Sequence, residues 1–284
     1  MTFRNKRRTA VNNVMLSLTG VFAFLTVTIL ILILGYLVYN GVTSLNVAFF
    51  TKLPVGPGQA GGGIANAIIG SVLVVAVASL FGLPIGFLSG VYLAEFGAGT
   101  KFAYVVRYTA DLLNGVPSIV IGIFAWTVVV KPMHHYSAFA GSIALSLMLI
   151  PITARSTEQF LLEVPRAMRE GALALGASKW KAIATVIVPA ARKGILTGMI
   201  LGVARISGES APLLFTALGN QYWCRGLMDQ TSTLPVMIYK LATSPYDDWH
   251  QQAWAAGLIL LGLVLIANIT ARVVLTRGAS VPKG

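Results

Sequence analysis

The stretch EGALALGASKWKAIATVIVP, residues 170–189, is basic and helical in pattern, yet it lies between segments apolar enough to dissolve in lipid. Its setting decides the fold. Of the 284 residues, 56% are hydrophobic and 11% charged, with a mean hydropathy of +0.78, whereas a soluble domain carries about a quarter charged residues. Most of this chain therefore has the bilayer as its solvent. The clearest window, 16–39, runs without a charge for longer than the roughly 20 residues needed to cross a hydrocarbon core of about 30 Å. A secretory signal is the competing reading, because FRNKRR precedes the window at residues 3–8. The apolar run is too long for one, and no small-residue cleavage site stands out before Tyr39.

Five further apolar windows, 64–93, 109–130, 138–152, 194–218 and 253–274, bring the expected spans to six. The shortest, 138–152, needs its flanks to reach across. Gly82, Gly86 and Gly90 stand four apart around Pro84, a spacing that lets a neighbouring helix approach closely. The expected architecture is an all-α polytopic membrane protein, with a basic N-terminus over 1–15 and a single transmembrane domain over 16–284 whose core is roughly 61–276.

The net charge of +12 raises nucleic acid as a partner, but no aromatic-basic stripe or base-reading motif accompanies it. Basic loops beside an anionic leaflet account for it better. The lone Cys224 excludes an intrachain disulfide or a cysteine-pair metal site. With the N-terminus in the cytoplasm, 16 lysines and arginines fall on the inside, counting Arg4, Arg107, Arg155 and Lys283 among them, against four outside: Lys52, Lys131, Arg225 and Lys240. The excess of positive charge in inside loops favours that orientation and puts both termini and the quoted stretch in the cytoplasm.

Around that stretch, Pro165 marks the start of a short helix on which Met168, Ala172 and Leu175 share one face. Gly176 breaks it. Ser178 is an N-cap candidate for a second short helix through Val188, with Trp180 on its first turn and Pro189 leading into the fifth span. A short amphipathic helix is held by packing rather than by propensity. The hairpin over 165–189 is therefore expected to dock into another protein.

Glu170-Gly171-Ala172, three residues, Gly176, nine residues, then Val186-x-Val188-Pro189 resembles the EAA signature of ABC-importer permeases, Glu-Ala-Ala-x3-Gly-x9-Ile-x-Leu-Pro. Gly171 replaces the first alanine, and valines replace the isoleucine and leucine. The resemblance implies a type I importer permease fold in the bacterial inner membrane. It makes the hairpin, through Glu170, Gly171, Ala172, Gly176, Trp180 and Pro189, the element coupled to a cytoplasmic ATPase subunit. The chain holds no Gly-x4-Gly-Lys-Ser/Thr phosphate loop, so ATP and Mg would be bound by that partner. No catalytic residues, cofactor or metal are expected here, since His134, His135 and His250 lie in outside loops and no serine-histidine-aspartate set is available.

Arg205 and Glu209 lie inside the fifth apolar window, four apart and hence on one helical face. A charge at membrane depth is costly unless paired or lining a watery path. Two readings stay open: an Arg205–Glu209 lock, or a substrate pathway. Arg107 and Asp111 read as boundary residues at the cytoplasmic end of the third span. The string ARISGESAPLLFTA at 204–217 is similar to permease subunits of bacterial phosphate ABC importers, as are GGGI at 61–64 with its following AI and GS, and LNGVPSIV at 113–120. That resemblance implies a second homologous permease chain, two ATPase subunits, an extracytoplasmic phosphate-binding protein and phosphate itself, with Arg205 offering donors to its oxygens. The alternatives are a permease for another oxyanion or small solute, or a secondary transporter.

Overall fold

The computed structural model describes residues 3–56, 59 and 61–277; Lys283, counted above among the inside charges, lies outside them. Among the described residues the chain is helical apart from one bridge between Leu218 and Thr231. The helices are α1 (Phe3–Val42), α2 (Val47–Thr51), α3 (Ala65–Glu95), α4 (Lys101–Gly115), α5 (Ser118–Met133), α6 (Ala138–Leu162), α7 (Arg166–Ala174), α8 (Lys179–Ser207), α9 (Ala211–Thr216), α10 (Leu234–Ala242) and α11 (Asp247–Arg277).

The glycines of α3 set the architecture. A Cβ added at Gly82 would meet Leu149 at 3.0 Å, at Gly86 the Thr153 Cβ at 2.6 Å, and at Gly90 the Thr157 Cβ at 2.6 Å. Gly82, Gly86 and Gly90 and their partners on α6 advance together in steps of four, so the two helices run parallel at backbone-to-side-chain contact. Ser146 extends the seam by donating to the Ala78 carbonyl at 3.0 Å. The main apolar cluster, with Val74, Ala78, Leu145, Leu149 and Ile206 all buried, lies along it.

Parallel helices begin at the same end, so residues 96–137 must return across the bundle between them. The expected single span over 109–130 is instead two helices, α4 and α5, bent by 107°. The cause is local. Pro117 has no N–H to donate, and the proline ring keeps Val116 before it extended, at φ −70° and ψ 133°. Five helices are long and apolar enough to cross alone, α1, α3, α6, α8 and α11, and the bent pair makes the sixth crossing.

The other spans shift in length. The fourth starts as expected at Ala138 but continues ten residues past Ile152, and the sixth begins at Asp247, six residues before the expected start. His250 is accordingly on the first turn of α11 rather than in a loop, its Nε2 bonded to the Ser244 carbonyl at 2.7 Å. The segment 219–252 is partly structured: it contains α10, and Asn66 donates to the Asn220 carbonyl at 2.7 Å while the Leu234 N–H donates to Ser71 Oγ at 2.7 Å. Trp254 packs edge-on against Tyr36 with centroids 5.2 Å apart and so joins α1 to α11.

A bulky side chain at the seam would force α3 from α6, and overpacking of this kind costs about 1–3 kcal/mol. Gly86→Leu is expected to lower abundance in the membrane and the thermal unfolding midpoint in detergent. Gly35→Ala, where an added Cβ meets nothing within 4 Å, should change neither. Equal behaviour of the two variants would contradict the seam.

Candidate coupling hairpin and charged breaks in the bundle

α7 starts after Pro165 as expected and stops in a defined way. Gly176 has φ +82°, which strains any residue with a side chain. Its N–H bonds the Leu173 carbonyl at 2.9 Å and the Ala177 N–H bonds the Ala172 carbonyl at 3.2 Å. These paired bonds form the Schellman termination that satisfies the last carbonyls of a helix. Ser178 is extended, and its carbonyl accepts from Ala182 at 2.9 Å, but its side chain makes no capping bond.

No separate second short helix follows. α8 runs unbroken from Lys179 through Pro189 to Ser207. A proline inside a helix clashes with the carbonyl four residues back, and here the preceding turn, Ile183–Ile187, is widened to π geometry, with the Val188 N–H reaching the Ile183 carbonyl. The same arrangement, a π turn over Trp126–Val130, precedes Pro132 in α5.

The expected apolar face also divides. Ala172 is buried, while Met168 is 41% and Leu175 91% exposed; the outward apolar tip consists of Leu173, Leu175 and Trp180, the last 65% exposed. Glu170 and Gly171 are exposed too, and an added Cβ at Gly171 would meet nothing, so the departure from alanine there is sterically neutral.

The base of the hairpin is fixed by charge. Arg169 pairs with the Glu95 carboxylate at 2.9 Å and donates to the carbonyls of Leu161, in the last turn of α6, and of Val164, just past it. Glu95 is 6% exposed, so the contact is dry. Lys179 lies over the Phe96 ring at 4.3 Å. Beneath, Ile183 and Ile187 are buried with Val91, Leu161 and Val164.

Arg107 and Asp111, read as boundary residues, also take part in a chain of ion pairs near the last turns of α3 and α6. Arg107 pairs with Glu158 at 2.5 Å and donates to the Leu93 carbonyl; Arg155 pairs with Glu158 at 2.6 Å and with Asp111 at 2.8 Å. This chain of four charges ties α4 to α6, with Glu158 at its centre only 4% exposed. Sequence reading missed Glu158 and Arg155 as partners. Their opposite charges three residues apart, just past the apolar window 138–152, were the available signal.

Arg205 and Glu209 are not on one helical face. α8 ends at Ser207, and Gly208–Ser210 form a turn outside the regular helix before α9 begins at Ala211. Arg205 is exposed, Glu209 partly so, and among the described residues no ion pair joins them. Gly202, three residues before Arg205, packs against Leu149 and Ile152 in the middle of α6, which places the break at membrane depth. Irregular backbone there is tolerated where protein buries it or water reaches it. α9 then turns back onto α5, where an added Cβ at Gly122 would meet Pro212 at 2.7 Å.

Residues 82–277 match the family described as "Binding-protein-dependent transport system inner membrane component". Among curated proteins, the chain is 46% identical to the phosphate transport system permease protein PstA of Yersinia pestis, covering 87% of this chain and 84% of that protein. It is 44% identical to the protein of that name from Haemophilus influenzae, with 92% of each covered. Among solved structures, an inward-facing MetNI methionine ABC transporter matches with TM-score 0.65 and 19% identity over 75% of this chain and 95% of that one. A bacterial alginate ABC transporter in complex with alginate pentasaccharide-bound periplasmic protein matches with TM-score 0.62 and 15% identity, covering 95% of each. These likenesses show the fold.

Removing the centre of the charge chain leaves Arg107 without its carboxylate and Arg155 with Asp111 alone. Breaking a buried pair costs about 3–5 kcal/mol, and because both arginines are about a third exposed the lower end applies here. Glu158→Gln should therefore lower the unfolding midpoint of the purified protein far more than Asp111→Asn, whose carboxylate is 55% exposed and worth less than about 1 kcal/mol.

Proposed function

We propose that this chain, which belongs to the family of binding-protein-dependent transport system inner membrane components, is a permease subunit of an ATP-driven importer of inorganic phosphate. It is a multi-pass membrane protein, and the membrane is the bacterial inner membrane. Phosphate as cargo rests on the likeness to phosphate permeases along nine-tenths of the chain.

The observation that carries the coupling role is the tip of the hairpin. Leu175 and Trp180 stand 91% and 65% exposed at the end of a terminated helix whose base is locked by Arg169 and Glu95. A rigid apolar knob held away from the bundle fits a cleft on a water-soluble partner. That partner is one of two cytoplasmic ATPase subunits, which hold ATP and Mg; the hairpin, the end of α3 and the end of α11 then lie on the cytoplasmic side. The permease has no hydrolytic site of its own and takes its conformational energy from those subunits.

Arg205 explains why a second permease chain is needed. A guanidinium at membrane depth, exposed in the isolated chain, must be covered by protein or bathed by water. A homologous chain packed over this face would enclose a path on which Arg205 offers fixed donors to phosphate oxygens. The Gly208–Ser210 break supplies the irregular backbone such a path tolerates. The outer ends of the spans would receive an extracytoplasmic phosphate-binding protein.

Two measurements test this reading. Leu175→Glu with Trp180→Glu should leave membrane abundance unchanged and abolish co-purification of the ATPase subunits, because neither side chain supports the fold; retained co-purification refutes the docking role. Arg205→Gln should leave the complex assembled and reduce phosphate uptake in vesicles at least tenfold, and adding Glu209→Gln should not restore it. Restored uptake in the double variant would remove Arg205 from the pathway.

A further inference from the structure

At the hairpin end of the bundle, α8 and α11 part around a cavity of about 470 Å³ that presents Arg192, Lys193 and Arg272 beside Asn268. Among the described residues that line it, the rest of the wall is aliphatic apart from Thr197, with no carboxylate. The cavity continues into a groove of about 480 Å³ between α3, α8 and α11, with which it shares Leu196, Ile200 and Asn268. The groove is walled by residues such as Val75, Leu83, Val203 and Leu263. Three cations therefore stand at one mouth of an apolar channel.

We infer that this cavity and groove bind an anionic glycerophospholipid, its phosphodiester held by Arg192, Lys193 and Arg272 and its acyl chains laid between α3, α8 and α11. Charge selects the headgroup, since basic pockets between transmembrane helices are suited to anionic lipid heads. Position agrees. Lys193 precedes Gly194, where an added Cβ would strike the Phe160 ring close to the end of α6, so the cations sit at the edge of the bundle and the groove runs inward from them. Length favours lipid over a helix from a neighbouring chain. On α8 the groove runs from Leu196 to Ser207 and on α11 from Leu260 to Ala271, about 17 Å along each helix. That is close to one leaflet of a hydrocarbon core of about 30 Å, whereas a spanning helix needs the full depth. Aliphatic walls with few polar atoms suit acyl chains. The inference does not depend on the solute transported.

The test uses the complete complex purified in detergent, with native mass spectrometry and the thermal midpoint as readouts, neither of which involves transport. Phosphatidylglycerol should be retained in preference to phosphatidylcholine and should raise the midpoint, as any ligand of the folded state does. Each lysine or arginine beside an anionic surface is worth roughly fivefold in affinity, so Arg192→Gln with Arg272→Gln should weaken phosphatidylglycerol retention by about 30-fold. A second variant, Val264→Trp, fills the groove and leaves the cations in place; it should lose the lipid as well. Equal stabilisation by inorganic phosphate would make the cavity a free-anion site and overturn the inference. So would equal retention of the two lipids, or a photo-crosslinker at Leu263 that captures the partner permease in place of lipid.

Discussion

Close contact between α3 and α6 is the constraint on which the rest of the molecule depends. In lipid there is no gain from hiding one apolar surface against another, so helices associate where their backbones can approach. Gly82, Gly86 and Gly90 provide that approach to Leu149, Thr153 and Thr157. Because this pair is parallel, both helices end together, and at that end the Arg169–Glu95 contact forms between the hairpin following α6 and the last turn of α3. Parallel pairing also forces the return crossing by α4 and α5. That crossing must fit beside a seam already filled, which it does as two pieces with a 107° bend rather than as one rod.

Polar groups in this bundle mark joints between helices. The Asp111–Arg155–Glu158–Arg107 chain fastens α4 to α6, and Arg169 fastens the hairpin to the ends of two helices at once. Arg107 and Arg169 each spread their donors over a carboxylate and backbone carbonyl oxygen, and Arg155 spreads its own over two carboxylates, the geometries for which a planar guanidinium is suited. Arg205 differs. Among the described residues no carboxylate pairs with it, although it stands at membrane depth.

Much of the membrane architecture could be read from apolar windows, because a span is a property of some 20 consecutive residues. The hairpin start at Pro165 and its glycine turn were legible for the same reason: helix termination is written locally. What failed was tertiary. The break at Pro117 lies inside an apolar run that continues through it, and Pro84 and Pro151 occur within α3 and α6 without ending them, so proline alone did not mark the bend. Arg107 and Asp111 looked like edge residues alone because their partners lie 51 and 44 positions away in sequence. Pro189 was read as leading from a short helix that ends at Val188 into the fifth span, since nothing in the string announces a π turn that accommodates the ring. The four-residue spacing of Arg205 and Glu209 implied a shared face only while the helix was assumed to continue past Ser207.

The widened turn at Ile183–Ile187 has a mechanical consequence. By making room for Pro189, it lets α8 remain one rod from Lys179 to Ser207. Trp180 and Arg205 are thus the two ends of a single lever, separated by 25 residues or about 38 Å, with no loop between them to absorb a displacement. A tilt imposed at the tip on one side of the membrane arrives at the guanidinium in its middle as a swing of the same rigid body.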